Sequence, residues 1–286
     1  MAQKAILLVN LHKEYAQSAA EEIRGELENR GLEVTVFTFE GRPGSVPDGT
    51  WDIALSLGGD GTVLYAARIL APAGTPILPI HLGTLGFLAS VERHEWLAVY
   101  EQWQNQTARI SSRCMLALSV DRGGLGVYRN TCLNDIVVSS SGKAKLIRLR
   151  VKTEPSPGEY ADLGCYRSDG LVIATPTGST AYSMAAGGPI LDPEKEALII
   201  SPVCPFTLSN RPLVLPSRQN LLVTVEQEQR SGIVLTVDGQ DTFDLEPDDT
   251  ITVTHFSHYA RLITAGRSSY YSALKGKLSW GGLPHA

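Results

Sequence analysis

An apolar run, Trp51-Asp52-Ile53-Ala54-Leu55-Ser56-Leu57, ends on Gly58-Gly59-Asp60-Gly61-Thr62, and a helical pattern of Val63, Leu64, Ala66, Ala67, Ile69 and Leu70 follows at once. A buried strand that breaks on glycines and re-enters as a helix reads as one βα unit of an α/β sheet. Glycine tolerates positive φ and has no Cβ, so successive N–H groups can turn toward phosphate oxygens, and the helix N-terminus adds partial positive charge at the same place. Gly58, Gly59, Gly61 and Thr62 are therefore candidate phosphate-binding positions. Asp60 is the one negative group in a site that otherwise favours anions. It is ill suited to binding phosphate and well suited to holding Mg²⁺ or taking a proton from a hydroxyl. The competing reading is a tight strand-to-helix turn with a capping aspartate.

The first hundred residues continue this βα rhythm. Ile6–Val9 reads as a strand, 18–30 as an amphipathic helix closed by Gly31, and Val34–Phe39 as the next strand. After the glycine turn, Pro76–Ile80 leads into His81-Leu82-Gly83-Thr84-Leu85-Gly86-Phe87-Leu88, and a polar helix covers roughly 93–105. Such alternation predicts a parallel sheet with ligands beyond the carboxyl ends of its strands, where His12 and Lys13 also lie. From about residue 109 short alternating runs are separated by turn clusters at 121–124, 139–142, 155–158, 229–232 and 247–249, which predicts antiparallel strands. One helix-like interruption spans 178–187, and the tail 269–280 is again helical, with Tyr271, Leu274 and Leu278 on one face. The expected layout is an α/β domain over 1–108, a β-rich domain over 109–264, and a tail, 265–286, returning to the first domain.

Composition narrows the partners. A net charge of −5 offers no basic field for nucleic acid or anionic membrane, so a polyanionic ligand must be held by local backbone and a few cations. Cys114, Cys132, Cys165 and Cys204 stand far apart, which suits reduced thiols in a core better than a zinc site. Met1-Ala2-Gln3-Lys4 leads straight into the first strand, and no apolar run approaches the ~18 residues of a membrane span. A cytoplasmic protein is expected.

The second informative segment is Arg167-Ser168-Asp169-Gly170-Leu171-Val172-Ile173-Ala174-Thr175-Pro176-Thr177-Gly178-Ser179-Thr180-Ala181-Tyr182-Ser183. A β-run exits into a turn crowded with hydroxyls, and Thr177, Ser179 and Thr180 offer N-cap oxygens to a helix start. Small side chains leave room for a planar ring, which Tyr182 could stack on. An ordinary capped helix is the alternative.

Taken in order, GGDGT at 58–62, Asn134-Asp135, Arg167-Ser168-Asp169-Gly170, TPTGSTAYS at 175–183, Ala186–Leu191, Arg211–Val214 and Asp238-Gly239-Gln240 resemble the NAD kinases. The likeness covers most of the chain, and TPTGSTAYS with RSDG is its specific part. GGDG alone is shared with lipid kinases of the diacylglycerol and sphingosine type. The resemblance implies a Rossmann-like N-terminal domain with a parallel sheet, a β-rich antiparallel C-terminal domain, an active site between them, and homodimers or homotetramers. It implies phosphoryl transfer from ATP, or polyphosphate, to the 2′-hydroxyl of the adenosine ribose of NAD, giving NADP, with Mg²⁺ or another divalent ion.

The resemblance makes Asp60 the general base, with Gly61 against the dinucleotide. Asn134-Asp135 matches the dipeptide that grips ribose and adenine, although the family more often carries Glu at the second place, so Asp135 is one methylene shorter. Lys145 falls where the family places a cation or His, and a solvated lysine is the competing reading. Arg167 and Asp169 read as same-face neighbours on a strand; the resemblance puts Asp169 at the nicotinamide end, and a surface ion pair is the alternative. Thr177, Thr180, Ala181, Tyr182, Ser183 and Gln240 match pocket positions. At position 81 the family more often has Asn than His. Two other readings stand beside an NAD kinase: a lipid kinase with the same GGDG core, and a non-catalytic NAD(H)-binding protein.

Overall fold

The computed structural model describes residues 2–41, 44, 46–83, 85–142, 146–207, 209–264 and 267–278. The chain forms two compact units, 1–112 with 260–286, and 113–259.

In the first unit β1 (Lys4–Asn10), α1 (Ala16–Asn29), β2 (Glu33–Phe39), β3 (Ile53–Gly58), α2 (Asp60–Leu70), β4 (Ile77–His81), a two-residue β5 (Val91–Glu92), α3 (Trp96–Gln104) and β6 (Arg109–Arg113) follow in turn. The strands lie in the order β2-β1-β3-β4, and β1/β2, β1/β3, β3/β4 and β4/β5 all pair in parallel. β1, β3 and β4 are apolar almost throughout because helices cover both faces of a parallel sheet. α1 contributes Ala19, Ile23 and Leu27 to the core, as its 3.6-residue spacing requires, and Gly31 closes it with φ 84°. The path runs outward from β1 to β2 and resumes on β1's other side at β3. This reversal opens a crevice at the carboxyl ends of β1 and β3, where Gly58 to Thr62 lies.

The second unit is a sandwich of two six-stranded antiparallel sheets. One is ordered β11-β10-β15-β18-β7-β8 and the other β14-β13-β12-β9-β16-β17. The strands are β7 (Leu116–Arg122), β8 (Leu125–Cys132), β9 (Asp135–Ser140), β10 (Ile147–Ser156), β11 (Glu159–Ser168), β12 (Gly170–Ala174), β13 (Ala197–Val203), β14 (Leu213–Pro216), β15 (Asn220–Val225), β16 (Ile233–Val237), β17 (Asp241–Leu245) and β18 (Thr250–His255). Their inward residues, among them Leu118, Val138, Leu149, Ile173, Val223 and Leu235, form one continuous core. The turn clusters fall between strands, with left-handed φ at Gly123, Gly124, Gly158 and Asp248.

Two features depart from the sequence reading. The helix expected over 178–187 is a 3-10 turn, Thr177–Thr180, and one α-helical turn, α4 (Tyr182–Ala185), ended by Gly187 at φ 81°. Of the four cysteines only Cys114 and Cys132 are buried, and burial pushes the Cys114 thiol up to about 11; Cys165 and Cys204 are exposed. The chain then returns to the first unit through β19 (Ala260–Thr264), parallel to β4, and α5 (Arg267–Leu278). No helix among the described residues is long and apolar enough to cross a membrane.

Candidate functional site

In the first unit, Asp60 opens α2 behind Gly59, which caps the helix in an extended conformation (φ −125°, ψ −168°) with no side-chain bond. Its half-buried carboxylate turns to the loop after β4. Oδ2 accepts the N–H of Phe87 at 3.0 Å, and Oδ1 accepts those of Leu88 at 3.0 Å and Ala89 at 2.9 Å. The loop is itself closed by Gly86 N–H to Ala89 O at 3.0 Å.

Of the two properties expected of glycine, Gly58 and Gly86 use the missing Cβ and not an unusual φ. Gly58, Gly59 and Gly61 do not have left-handed backbones. A Cβ at Gly58 would overlap the Thr62 hydroxyl, and one at Gly86 would overlap Asp60 Oδ1. The buried Thr62 hydroxyl has no hydrogen-bond partner among the described residues. The Lys13 chain passes close by: its Cε would stand 3.9 Å from a Cβ on Gly59. Lys13 also lines a cavity of about 510 Å³ with Leu11, Tyr15, Gln17, Glu21 and Glu40. His81 Nδ1 engages the Gly83 carbonyl at 2.9 Å while its Nε2 is buried with no partner among the described residues. Phe87 packs against α5, with its ring 6.5 Å from that of Tyr270 and Lys277 Nζ 5.1 Å above it.

In the second unit, the segment 175–183 is knotted onto the start of β9. Thr175 N–H reaches Asn134 O at 2.9 Å, its hydroxyl donates to Leu133 O at 2.5 Å, and the same oxygen accepts Gly178 N–H at 3.1 Å. Gly178 presses so close to Asn134 that any Cβ would overlap the Asn134 backbone. The hydroxyls are not N-caps. Ser179 Oγ donates to Pro176 O at 2.6 Å and accepts Leu191 N–H at 3.0 Å, and Thr180 Oγ1 donates to Thr177 O at 3.3 Å. The backbone N–H groups of this turn bond mainly within it, Ser179 to Pro176 O at 3.3 Å and Ala181 to Gly178 O at 2.9 Å. Thr177 Oγ1 is buried with no partner among the described residues, whereas Tyr182 stands 45% exposed. Ser183 is fully buried, with its hydroxyl 3.2 Å from that of Ser201 against Gly188, which marks a packing position. Ala181 sits half-buried between the two turns.

Asn134 and Asp135 are gripped from behind by a residue that the sequence reading left unassigned. Asp238, held in a left-handed turn (φ 51°), accepts the N–H groups of Leu133 at 3.0 Å, Asn134 at 2.7 Å and Asp135 at 3.2 Å. Asp135 is only 5% exposed. Burial, and then the neighbouring Asp238 charge, push its carboxyl up to about 7, against a bond from the Tyr182 N–H. Its shorter side chain thus lies inside the fold, at the position to which the resemblance gives a contact with ribose and adenine. Gln240 follows in the same turn, with its N–H on Val237 O at 2.9 Å.

Arg167 and Asp169 do not share a strand face. β11 ends at Ser168, and Asp169 is the corner where the chain passes from one sheet to the other, its N–H on Val203 O at 3.0 Å. The exposed Arg167 guanidinium lies 4.8 Å over the Phe206 ring. Lys145 and Thr84 lie outside the described residues. Among the described residues no three His, Cys, Asp or Glu side chains gather as metal ligands. A signal for the missed groups existed: Asp238 stands in an Asp-Gly hairpin and Gly86 in a glycine-rich loop, but only contact shows what each one holds.

Comparison with known proteins follows the same two segments. Residues 45–108 match the ATP-NAD kinase N-terminal domain and 133–265 the ATP-NAD kinase C-terminal domain. An NAD kinase of Treponema denticola is 37% identical over 281 residues, 98% of this chain and 97% of that protein. Yeast NADH kinase, solved with NADH, superposes with a TM-score of 0.87 at 23% identity over 99% of this chain and 89% of that one. An NAD kinase from Archaeoglobus fulgidus in complex with ATP gives 0.72 at 22% identity over 97% and 98%. At those identities the two structures speak for the fold, and the near full-length sequence match decides the rest: this chain belongs to the NAD kinase family.

Proposed function

We propose that this chain transfers the terminal phosphoryl group of ATP, or of polyphosphate, to the 2′-hydroxyl of the adenosine ribose of NAD, giving NADP. The observation that carries the reading is Asp60: a carboxylate at a strand end and helix start, fixed by three N–H bonds yet only partly buried. Phosphoryl transfer asks a protein mainly to position groups and neutralise charge. A ribose hydroxyl does not ionise near neutral pH, so a fixed carboxylate that takes its proton in the transition state contributes about 10²–10⁴ in rate. Gly58, Gly59, Gly61 and Thr62 meet the phosphates, with the orphan Thr62 hydroxyl as one donor. On the dinucleotide side the roles fall to Gly61, Asn134, Asp169, Arg167, Thr177, Thr180, Ala181, Tyr182 and Gln240, and by the family resemblance to Lys145. The unpartnered Thr177 hydroxyl supports this. Asp135 and Ser183 shape the pocket from inside the fold.

A divalent ion fits this chemistry as a passenger on the nucleotide phosphates, because Mg²⁺ keeps most of its water and takes one or two protein carboxylates at most. The remaining elements are a cytoplasmic homodimer or homotetramer serving NADP supply. NADP formation from NAD and MgATP by the purified chain tests the proposal. The expected result is turnover in the wild type and a loss of about 10²–10⁴ in Asp60→Asn. Lipid phosphorylation without NADP, or NAD binding without turnover, would overturn it.

A further inference from the structure

We infer that the loop Gly86–Ala89 decides which oxygen of Asp60 takes the proton, and that Gly86 is the positioning residue of that step. The inference rests on Asp60 being the base. A carboxylate oxygen has two in-plane lone pairs. Oδ1 has both engaged, by Leu88 N–H at 3.0 Å and Ala89 N–H at 2.9 Å. Oδ2 has one engaged, by Phe87 N–H at 3.0 Å, and keeps the other. The ribose proton therefore passes to Oδ2 as the ribose oxygen bonds to the transferred phosphorus and the bond from phosphorus to the leaving diphosphate breaks. The proton then leaves to water, so that NAD and ATP become NADP, ADP and a proton.

The loop can present three N–H groups to one carboxylate only if nothing projects between them. Gly86 is where that condition is met. A Cβ there overlaps Oδ1 and would stand 2.7 Å from Cγ, although the glycine's backbone is not left-handed. Alanine at this position therefore meets no conformational penalty of its own, and its methyl acts by pushing the carboxylate aside. From behind, α5 backs the loop through Tyr270 and Lys277 on the Phe87 ring. A displacement of about 1 Å at a reacting group can cost ~10² in rate.

The test is a double-mutant cycle on the full chain. Gly86→Ala is expected to lower kcat by about 10²-fold, with KM for NAD held within about threefold and with no further loss when it is added to Asp60→Asn. Wild-type kcat in Gly86→Ala beside a collapsed Asp60→Asn would refute the positioning role and leave the base standing. Full turnover in Asp60→Asn would remove the base, and the inference with it. An equal loss from Gly86→Ala in both backgrounds would place its effect elsewhere. Should Gly86→Ala not fold, amide exchange in Asp60→Asn gives an independent reading. The amide oxygen of Asn can serve Leu88 and Ala89, while its NH₂ faces the Phe87 N–H. Exchange protection should fall at Phe87 and persist at the other two; uniform loss or uniform retention overturns the assignment of the oxygens.

Discussion

Asp60 in the first unit and Asp238 in the second are held in the same manner. Each carboxylate accepts three backbone N–H groups from one short stretch, 87–89 for the first and 133–135 for the second. They differ in what surrounds them. Asp60 is partly buried at a helix N-terminus and the carboxyl edge of a parallel sheet, while Asp238 is 7% exposed beside a second buried carboxyl. Where water can reach the anchored group, the anchoring is open to the chemistry proposed for Asp60. Where water cannot, it serves the shape of the chain, here the path of Asn134 and Asp135. A three-fold N–H grip is thus no functional signature by itself; exposure decides what it means.

Replacing each aspartate by asparagine is the most direct way to break that contrast. Asp60→Asn should lose turnover by about 10²–10⁴ while its urea midpoint moves little, because water can take over the Phe87 N–H. Asp238→Asn should do the reverse. Its amide NH₂ faces a buried donor, and charge-assisted bonds become neutral, at a cost of about 3 kcal/mol of stability. Turnover per folded molecule should fall far less than in Asp60→Asn. Urea unfolding and steady-state NADP formation on both variants check the pair; if Asp238→Asn proved the more damaging to kcat at unchanged stability, the division of roles between the two grips would be wrong.

The sequence made the parallel layer legible because its strands are apolar throughout and each helix carries a 3.6-residue stripe, a pattern set by burial alone. Gly58 to Thr62 could be placed at a strand end for the same reason. What the glycines do was not legible: φ and free space both demand glycine, and Gly58 and Gly86 are required by the Thr62 hydroxyl and the Asp60 carboxylate, which approach from other parts of the chain. The hydroxyl-rich 175–183 segment reads as a capped helix because local rules see only its own backbone. Its oxygens instead serve Leu133, Pro176 and Leu191, and Gly178 is wedged against Asn134, so tertiary contacts outweigh propensity. Arg167 and Asp169 were misread for a related reason, since a strand that changes sheets cannot be told by alternation from one that runs on.

A pH-dependent effect sharpens the contrast on its buried side. Asp135 has its carboxyl pushed up to about 7 by burial and by the Asp238 charge, from an ordinary value of 3.8. The folded state therefore binds the proton more tightly than the unfolded one. The stability that this proton confers is fully present below pH 3.8 and is lost as pH rises through about 7, by up to roughly 1.4 kcal/mol per pH unit. Asparagine matches the protonated acid in shape, can still accept the Tyr182 N–H, and does not titrate. Asp135→Asn should thus match the wild type in urea midpoint near pH 4 and gain on it steadily toward pH 8, with no further gain above. A gap between the two proteins that stays constant across that range, or that widens in favour of the wild type, would mean that the Asp135 carboxyl is ionised throughout, and that Asp238 shares its enclosure with a charge rather than with a neutral acid.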